Sequence, residues 1–157
     1  MAGRQEAEGD KTVASNRRAR HDYMLLEHVE CGIRLTGDEV KSLKAGRASL
    51  TDCYARVRSG EMWLEGMHVP AYEQGDKRTH QPLRPRKLLL HRTQIAHLDA
   101  EVREKGLALV PLRVYVTHGM LKVEIALARG KRQHEKRHAI AKRDAQREME
   151  QAQGRRR

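Results

Sequence analysis

Two histidines near the C-terminus have the spacing of a catalytic zinc motif. His134 and His138 occur in the pattern H-E-x-x-H, and residues at i and i+4 share one face of a helix, as a zinc protease requires. The middle positions are Lys136 and Arg137, however, and their positive charges would repel Zn²⁺. A catalytic zinc also needs a dry cavity and a third protein ligand. The sequence therefore argues against a metal site, and His134 is better interpreted as a residue that stacks on or hydrogen-bonds to a ligand.

No other pattern in the sequence indicates catalysis. The glycines are isolated, so no phosphate-binding loop of Walker or dinucleotide type is present, and there is no G-x-S-x-G motif. Cys31 and Cys53 do not form a C-x-x-C pair and are expected to be reduced, as in a cytosolic protein. The sequence thus predicts a protein that is not an enzyme and that has no cofactor and no small-molecule substrate.

Charge is the main chemical signal of this sequence. The net charge is +11, and residues 129–157 carry 11 Lys or Arg against 4 Asp or Glu, a net of +7. A pI near 10.1 favours nucleic acid as the partner. A membrane is not expected, because the N-terminus has no apolar signal segment, no run approaches ~18 apolar residues, and no basic amphipathic helix has a strong apolar face. We therefore predict a cytoplasmic protein that binds RNA.

The cations outside the C-terminal segment occur in clusters beside the predicted strands. One cluster alone is compatible with a solubilising surface, but three clusters and a +7 tail favour an RNA-binding surface. If the strands close into a barrel, we expect the clusters at its rims. The three clusters are Arg17, Arg18 and Arg20; Arg84, Arg86 and Lys87; and Arg129, Lys131 and Arg132.

The first half of the chain contains signals for a strand, a helix and a hairpin. Residues 23–35 are rich in Leu and β-branched residues and predict a strand pair or a bulged strand interrupted at Gly32. Thr36 and Glu39 form a capping box for a short helix that ends at Gly46. Residues 53–69 alternate apolar and polar side chains around a turn at 59–60, which predicts a hairpin.

The second half repeats this combination of strands and helix. Residues 70–87 form an irregular loop with three prolines, and the run LLL at 88–90 is expected to be buried. A helix is predicted over 93–105, and a second hairpin over 107–128 turns at 118–119. We predict a mainly β fold with short helices: an oligonucleotide-binding-type β-barrel over 15–130, after a disordered leader over 1–14. A small α+β sandwich is the alternative fold.

The tail over 131–157 is too polar to build a core of its own. It contains good helix formers, but Ile140, Met149 and alanines are its apolar groups. We therefore expect the tail to be disordered in the free protein and helical only when it is bound.

Five blocks of the sequence together resemble one protein family. The blocks are NRRARHDY at 16–23, GDEVKSLKAG at 37–46, RKLLLH at 86–91, GLALVPL at 106–112 and VEIALARGK at 123–131. Their order and spacing are similar to those of SmpB, the SsrA-binding protein family of bacterial trans-translation, from about residue 14 to 147. The chain departs from the usual pattern of this family in Glu135, where Asp is usual, and in Lys44, where Arg is common; both changes keep the charge.

The resemblance implies an oligonucleotide-binding-type barrel, a function and a set of site residues. The function is to bind the tRNA-like part of transfer-messenger RNA (SsrA) and deliver it to stalled ribosomes, while the tail probes the decoding centre and the empty mRNA channel. The RNA-binding residues implied are Asn16, Arg17, Arg18, Arg20, His21, Glu30, Lys41, Arg86, Lys87, Leu89 and His91. The tail residues implied to contact the ribosome are Arg129, Lys131, Arg132, His134, Lys136, Arg137, Lys142, Arg143 and Arg147.

One other function remains open from the sequence. A ribosome-associated structural RNA-binding protein without a rescue role would share the basic barrel and the basic tail. Sequencing of the RNA that copurifies with the protein separates the two, because a rescue factor would retain transfer-messenger RNA and a structural protein would retain bulk ribosomal RNA.

Overall fold

The computed structural model of the protein describes residues 10–131 and 146–151. Strands outnumber helices in the described chain, as predicted, with 41% of the residues in strands and 26% in helices. The elements are β1 (Lys11–Ser15), α1 (Ala19–Asp22), β2 (Tyr23–Ile33), α2 (Gly37–Lys44), β3 (Tyr54–Arg58), β4 (Glu61–Glu65), β5 (Arg86–Leu89), α3 (Arg92–Lys105), β6 (Ala108–Thr117) and β7 (Met120–Gly130). Residues 146–151 are helical.

The strands form one sheet that closes on itself. Their order is β1-β6-β3-β4-β5-β2-β7, and β7 also pairs with β6, which completes a ring. Strands β1 and β3 share one edge of β6: β3 pairs at Leu109 and β1 pairs with residues 113–116. The prediction of a barrel resembling the oligonucleotide-binding fold is therefore confirmed.

The interior of the ring is aliphatic, as expected for a sequence without Phe. Along β7, Val123, Ile125 and Leu127 point into the main core, in the predicted alternation. Cys31 and Cys53 are free and buried in the same core. Burial raises the pKa of each thiol to about 12, so both stay protonated at neutral pH.

Both predicted hairpins are present with two-residue turns. Ser59 and Gly60 have φ of 52° and 76°, and His118 and Gly119 have φ of 49° and 75°. Two consecutive residues with positive φ match the right-handed twist of the flanking strands, so these turns fix the register of β3 with β4 and of β6 with β7.

The two predicted helices also have the expected termini. Thr36 Oγ1 accepts a hydrogen bond from Glu39 N–H at 3.3 Å, and Glu39 Oε1 accepts one from Thr36 N–H at 3.0 Å, which completes the capping box of α2. Helix α3 buries Ile95 and Leu98 against the core and ends at Gly106, whose φ of 63° is left-handed.

Two predictions about the strands need correction. The leader was placed at 1–14, but Lys11–Ser15 form β1, in which Val13 and Ala14 are buried; residues 1–9 lie outside the described part. Strand β1 has only two apolar residues, so its sequence gives a weak signal for a strand. Its formation depends on pairing with β6, about 100 residues away. The second correction concerns β2, which is one strand with its bulge between Leu25 and Glu27 rather than at Gly32.

Candidate RNA-binding interface

The pairing of β2 with β5 brings four of the predicted RNA-binding residues to one outer surface of the barrel. Gly32 of β2 pairs with Leu89 of β5, and Glu30 lies two residues before Gly32 on the same face of β2. His91 follows Leu89 by two residues and is exposed just before α3. We call this surface the Leu89 face, and its members are Glu30, Lys87, Leu89 and His91.

The prediction that residues 88–90 are all buried is wrong for Leu89. Leu88 faces the core and is buried, whereas Leu89 points outward with 50% of its surface exposed. The cause is the alternation of a strand that has only one face against the core. An apolar run of three residues does not reveal this difference, but the exposure makes Leu89 available for direct contact.

Gly32 allows the close approach of β2 to Leu89. A Cβ atom at Gly32 would lie 3.2 Å from the Leu89 Cβ, which is closer than ordinary van der Waals contact. The absence of a side chain on β2 at this point therefore lets the leucine lie flat against the neighbouring strand.

Glu30 is held in place by a polar network on the outer face of the sheet. The buried Tyr115 donates its hydroxyl hydrogen bond to the Glu30 carboxylate, and the Arg113 guanidinium lies 4.0 Å from the Tyr115 ring centre. Arg113 Nε donates to Glu124 at 3.2 Å, and His28 Nδ1 lies 3.0 Å from the same carboxylate. Tyr115 and Arg113 are not among the predicted site residues, although a Tyr and an Arg at alternate positions of a predicted strand share one face.

The remaining two members of the Leu89 face are also fixed by neighbours. The Lys87 ammonium is half-buried and lies 3.2 Å from the Glu61 carboxylate. The backbone N–H of His91 donates to Gln94 Oε1 at 3.2 Å, while the ring is exposed at the start of α3. An imidazole and an ammonium thus flank the leucine on one surface.

Arg86 is a correction to the predicted site. Its guanidinium is fully buried, pairs with the Glu39 carboxylate, and donates to the carbonyl oxygens of Met67 at 2.7 Å and Pro82 at 3.1 Å. Arg84 pairs with the same carboxylate. The expectation that Arg86 contacts RNA is therefore wrong. Its charge is enclosed by α2 and by the loop that precedes β5. Of the predicted second cluster, Lys87 is the member on the Leu89 face.

Lys41 lies on the exposed side of α2. Its ammonium is 5.3 Å from the ring centre of Tyr72, which belongs to the loop between β4 and β5. This contact is a cation–π interaction, worth about 0.5–1 kcal/mol at an exposed site. Lys41 therefore contacts the loop between β4 and β5, whereas Val40 and Lys44 of the same helix line a cleft with Leu89.

The N-terminal basic segment is anchored to β6. The Asn16 side-chain amide donates to Pro111 O at 3.0 Å, and its backbone N–H donates to Leu112 O at 2.8 Å. Arg17 and Arg18 are exposed and line a cleft of about 320 Å³ with residues of three other segments. Asn16 therefore fixes this segment to β6, while the two arginines after it remain at the surface.

The start of the tail lies beside this basic segment. Tyr23, directly after α1, pairs with Gly130 at the end of β7, and Arg129 and Lys131 are exposed there. We call this region the basic end, with members Arg17, Arg18, Arg20, His21, Arg129 and Lys131. From Tyr23 to Glu30 the chain runs seven residues along β2, on the order of 23 Å at ~3.3 Å per residue. The predicted site thus consists of two separate surfaces.

Most of the predicted tail residues lie outside the described part of the chain. Arg147 is exposed in the helical residues 146–151. Within the described residues, no group of three or more His, Cys, Asp or Glu side chains could hold a metal ion, and no helix has the length and apolar character to cross a membrane. The residues outside the description are Arg132, His134, Lys136, Arg137, Lys142 and Arg143.

Comparisons with known proteins agree on one family. The family model described as SmpB protein matches residues 13–155. The chain is 59% identical over 152 residues to the SsrA-binding protein of Thermobifida fusca, covering 97% of this chain and 95% of that protein. It is 57% identical over 145 residues to the SsrA-binding protein of Desulforudis audaxviator, covering 92% of this chain and 95% of that protein.

A solved structure has the same fold. A chain described as "tmRNA-SmpB: a journey to the center of the bacterial ribosome" is 49% identical, with a TM-score of 0.63, and the match covers 74% of this chain and 82% of that one. Family match, sequence identity and structural likeness extend over the barrel that carries the Leu89 face and the basic end. The chain belongs to the SmpB protein family.

Proposed function

We propose that this protein binds the tRNA-like part of transfer-messenger RNA and delivers it to stalled ribosomes for trans-translation. The observation that carries the proposal is the match to relatives that are named SsrA-binding protein and that share more than half of their residues with this chain over nearly its whole length. The solved chain of similar fold comes from a structure described by tmRNA and the bacterial ribosome, which agrees with both partners.

The Leu89 face supplies the chemistry for recognition of folded RNA. RNA is recognised by its shape and by unstacked loop bases rather than through its narrow major groove. Leu89 offers an apolar contact to a base, His91 offers a ring for stacking, and Lys87 offers a cation for a phosphate. Glu30, fixed by Tyr115, can accept a hydrogen bond from a base amino group or a ribose hydroxyl. Glu30, Lys87 and Leu89 lie on paired strands and His91 is the N-cap of α3, so little ordering is needed when RNA binds.

The basic end and the tail supply the second part of the function. The exposed cations of the basic end lie where β7 ends and the polar tail begins. We assign the tail to the ribosome, because a polar, cationic segment has no core to unfold before it enters an RNA-lined channel. The barrel then holds one RNA while the tail contacts another.

Leu89→Gln tests the Leu89 face. Because Leu89 is half-exposed, the substitution leaves the core intact, and we expect RNA affinity to fall by about 1 kcal/mol, the order for an apolar contact by half a leucine side chain, without a change in thermal stability. The matched control is Leu83→Gln, which alters a leucine that is 59% exposed in the loop before β5. Gel-shift titration with the tRNA-like RNA fragment measures the affinity, and equal affinity of both variants would remove Leu89 from the interface.

The rescue function is tested by the RNA that copurifies with the protein. We expect sequencing to recover transfer-messenger RNA from a tagged full-length chain. Recovery of ribosomal RNA alone would instead favour a structural ribosome-associated protein.

A further inference from the structure

A row of side chains crosses β3, β4 and β5 and ends at the residue just after β2, on the outer surface of the barrel next to the Leu89 face. Arg56 of β3 pairs with Trp63 of β4, and Trp63 pairs with Lys87 of β5. The backbone N–H of Arg34, just after β2, donates to Lys87 O at 2.9 Å, so Arg34 continues the row. Neighbouring strands are ~4.8 Å apart, which gives the row a length of about 14 Å. We call it the Trp63 row.

Trp63 is presented to the outside by the alternation of β4. Met62 and Leu64, the residues on either side of it, are fully buried in the core. The Arg58 guanidinium lies 4.9 Å from the Trp63 ring centre. A guanidinium stacked on an indole is held in place by the ring and offers a flat cationic surface on which a base can stack.

The charges around Trp63 favour an anionic ligand. Lys87 is 3.2 Å from the Glu61 carboxylate, and Arg56 is 2.9 Å from that of Glu65. These ion pairs position two cations of the row. Within the described part of the chain, Arg34 and Arg58 have no carboxylate partner. The net charge of this surface is therefore +2, from four cations and two carboxylates. The cations are Arg34, Arg56, Arg58 and Lys87, and the carboxylates are Glu61 and Glu65.

We propose that the Trp63 row binds a single RNA strand. One unstacked base stacks on the pair of Arg58 and Trp63, and the phosphates on either side contact Arg34, Lys87 and Arg56. Single-stranded nucleic acid is bound by this combination of a stacking surface with flanking cations. An acidic peptide would use the cations but would leave the stacking surface without a function.

The inference rests on the proposed function, since Lys87 belongs to both surfaces. The row extends the Leu89 face across β4 and β3. One RNA molecule therefore contacts Leu89 and His91, and a single-stranded segment next to that contact reaches Trp63. The interface of the barrel then spans β2, β5, β4 and β3 rather than one edge of β5.

Trp63 itself reports on the proposal, because it is the only tryptophan of the chain. Full-length protein is titrated with the tRNA-like RNA fragment, and tryptophan fluorescence is recorded beside a gel shift. We expect saturable quenching with the same midpoint as the gel shift. Arg58→Gln should weaken binding about tenfold, within the range for loss of a stacked base. Arg34→Gln should lower the slope of log K against log salt by about 0.7, the value for one single-strand phosphate contact.

The matched control is Arg78→Gln, which removes one exposed cation from the loop between β4 and β5. If the gel shift saturates without quenching, and Arg34→Gln and Arg58→Gln bind like Arg78→Gln, the row does not bind RNA although the proposed function stands. A twelve-nucleotide polyuridine strand tests the row on its own: quenching by it supports the row even if the tRNA-like fragment fails to bind. Equal quenching by polyglutamate would overturn the proposal in favour of an acidic protein partner.

Discussion

Glu39 joins α2 to the loop before β5 through charges that are almost fully buried. Burial raises the pKa of this carboxyl, but hydrogen bonds from Arg84, from the Thr36 backbone and from Arg86 outweigh it, and the pKa lies below its ordinary value. Burial likewise lowers the pKa of Arg86, which keeps its charge because the hydrogen bond to Glu39 opposes that effect. The ion pair therefore stays charged at neutral pH.

Glu39→Gln should destabilise the barrel, because it leaves the buried Arg86 without a counter-charge. Removal of one partner of a buried pair costs about 3–5 kcal/mol. The control is Glu73→Gln, since Glu73 pairs with Arg47 at 3.3 Å on the surface and such pairs contribute about 0–1 kcal/mol. Urea unfolding at pH 7 measures both free energies, and equal values would show that the buried pair adds nothing to stability.

The loss of stability in Glu39→Gln should depend on pH, and the direction of that dependence follows from the lowered pKa of Glu39. A carboxyl whose pKa is lowered by folding contributes stability above its unfolded pKa, and this contribution is lost as the pH falls through the folded pKa. The difference between wild type and Glu39→Gln should thus be largest near pH 7 and shrink below about pH 4. A constant difference from pH 7 to pH 3 would contradict the assignment.

Gly32→Ala should change the Leu89 face more than the fold. The added Cβ would lie 3.2 Å from the Leu89 Cβ, and the half-exposed leucine can move outward by a few tenths of an ångström. We expect a change in thermal stability of less than about 1 kcal/mol together with weaker binding of the tRNA-like RNA in a gel shift. Unchanged affinity would show that the position of Leu89 against β2 is not used for recognition.

At the scale of elements, local signals predicted what local interactions determine. The capping box at Thr36 and Glu39, the apolar face of α3 and the turns at 59–60 and 118–119 are all settled by neighbours within a few residues, and all are present. The errors concern contacts between distant segments. The burial of Arg86 depends on Glu39, 47 residues away, and nothing in the spacing of a basic cluster reveals such a partner.

The same reasoning explains which part of the candidate site could be predicted. Resemblance to a family placed Glu30, Leu89 and His91 in the site, and the pairing of β2 with β5 places them on one surface. The sequence does not predict the Trp63 row, because its members come from three strands and the residue after β2 and meet only through the register of the sheet. Alternation within each strand gives the face of a residue but does not give its neighbours across strands.

Strand β1 is an element whose contribution can be measured by truncation. A chain that begins at Lys11 keeps β1, whereas a chain that begins at Asn16 exposes the β6 edge at residues 113–116 and loses the buried Val13 and Ala14. We expect the shorter chain to lose at least ~2 kcal/mol of stability in urea. Val13→Asp in the full-length chain tests the burial alone. Equal unfolding midpoints for all of these proteins would show that β1 adds nothing to the barrel.

At the scale of the whole molecule, the charge is divided between a folded and a polar part. Residues 132–157 carry 9 Lys or Arg and 4 Asp or Glu, a net of 9 − 4 = +5 out of +11. The Leu89 face and the Trp63 row lie on the barrel, while the basic end marks the junction with the tail. Two RNA partners can therefore be bound at once by one small chain.

This division predicts that RNA binding and ribosome rescue can be separated. Lys131→Glu combined with Arg132→Glu reverses one charge of the basic end and the charge that follows it, where the tail begins. Because the proposed contacts to transfer-messenger RNA lie on the barrel, we expect its affinity in moderate salt to stay within about threefold, a change below 1 kcal/mol. Tagging of nascent chains on stalled ribosomes should be blocked, because the reversed charges lie in the segment that we propose to contact the ribosome and would repel its phosphates.

The matched control is Arg155→Glu combined with Arg156→Glu, which makes the same charge change at the far end of the tail. We expect this variant to tag nascent chains faster than the variant at 131 and 132, because the position of a charge along the tail decides which phosphates it reaches. If the tail only solubilised the protein, both variants would tag at the same rate. A reconstituted tagging assay and a gel shift on the same protein samples provide the two measurements. If the variant at 131 and 132 tags at the wild-type rate, the tail only solubilises the protein, and the barrel must carry the whole function.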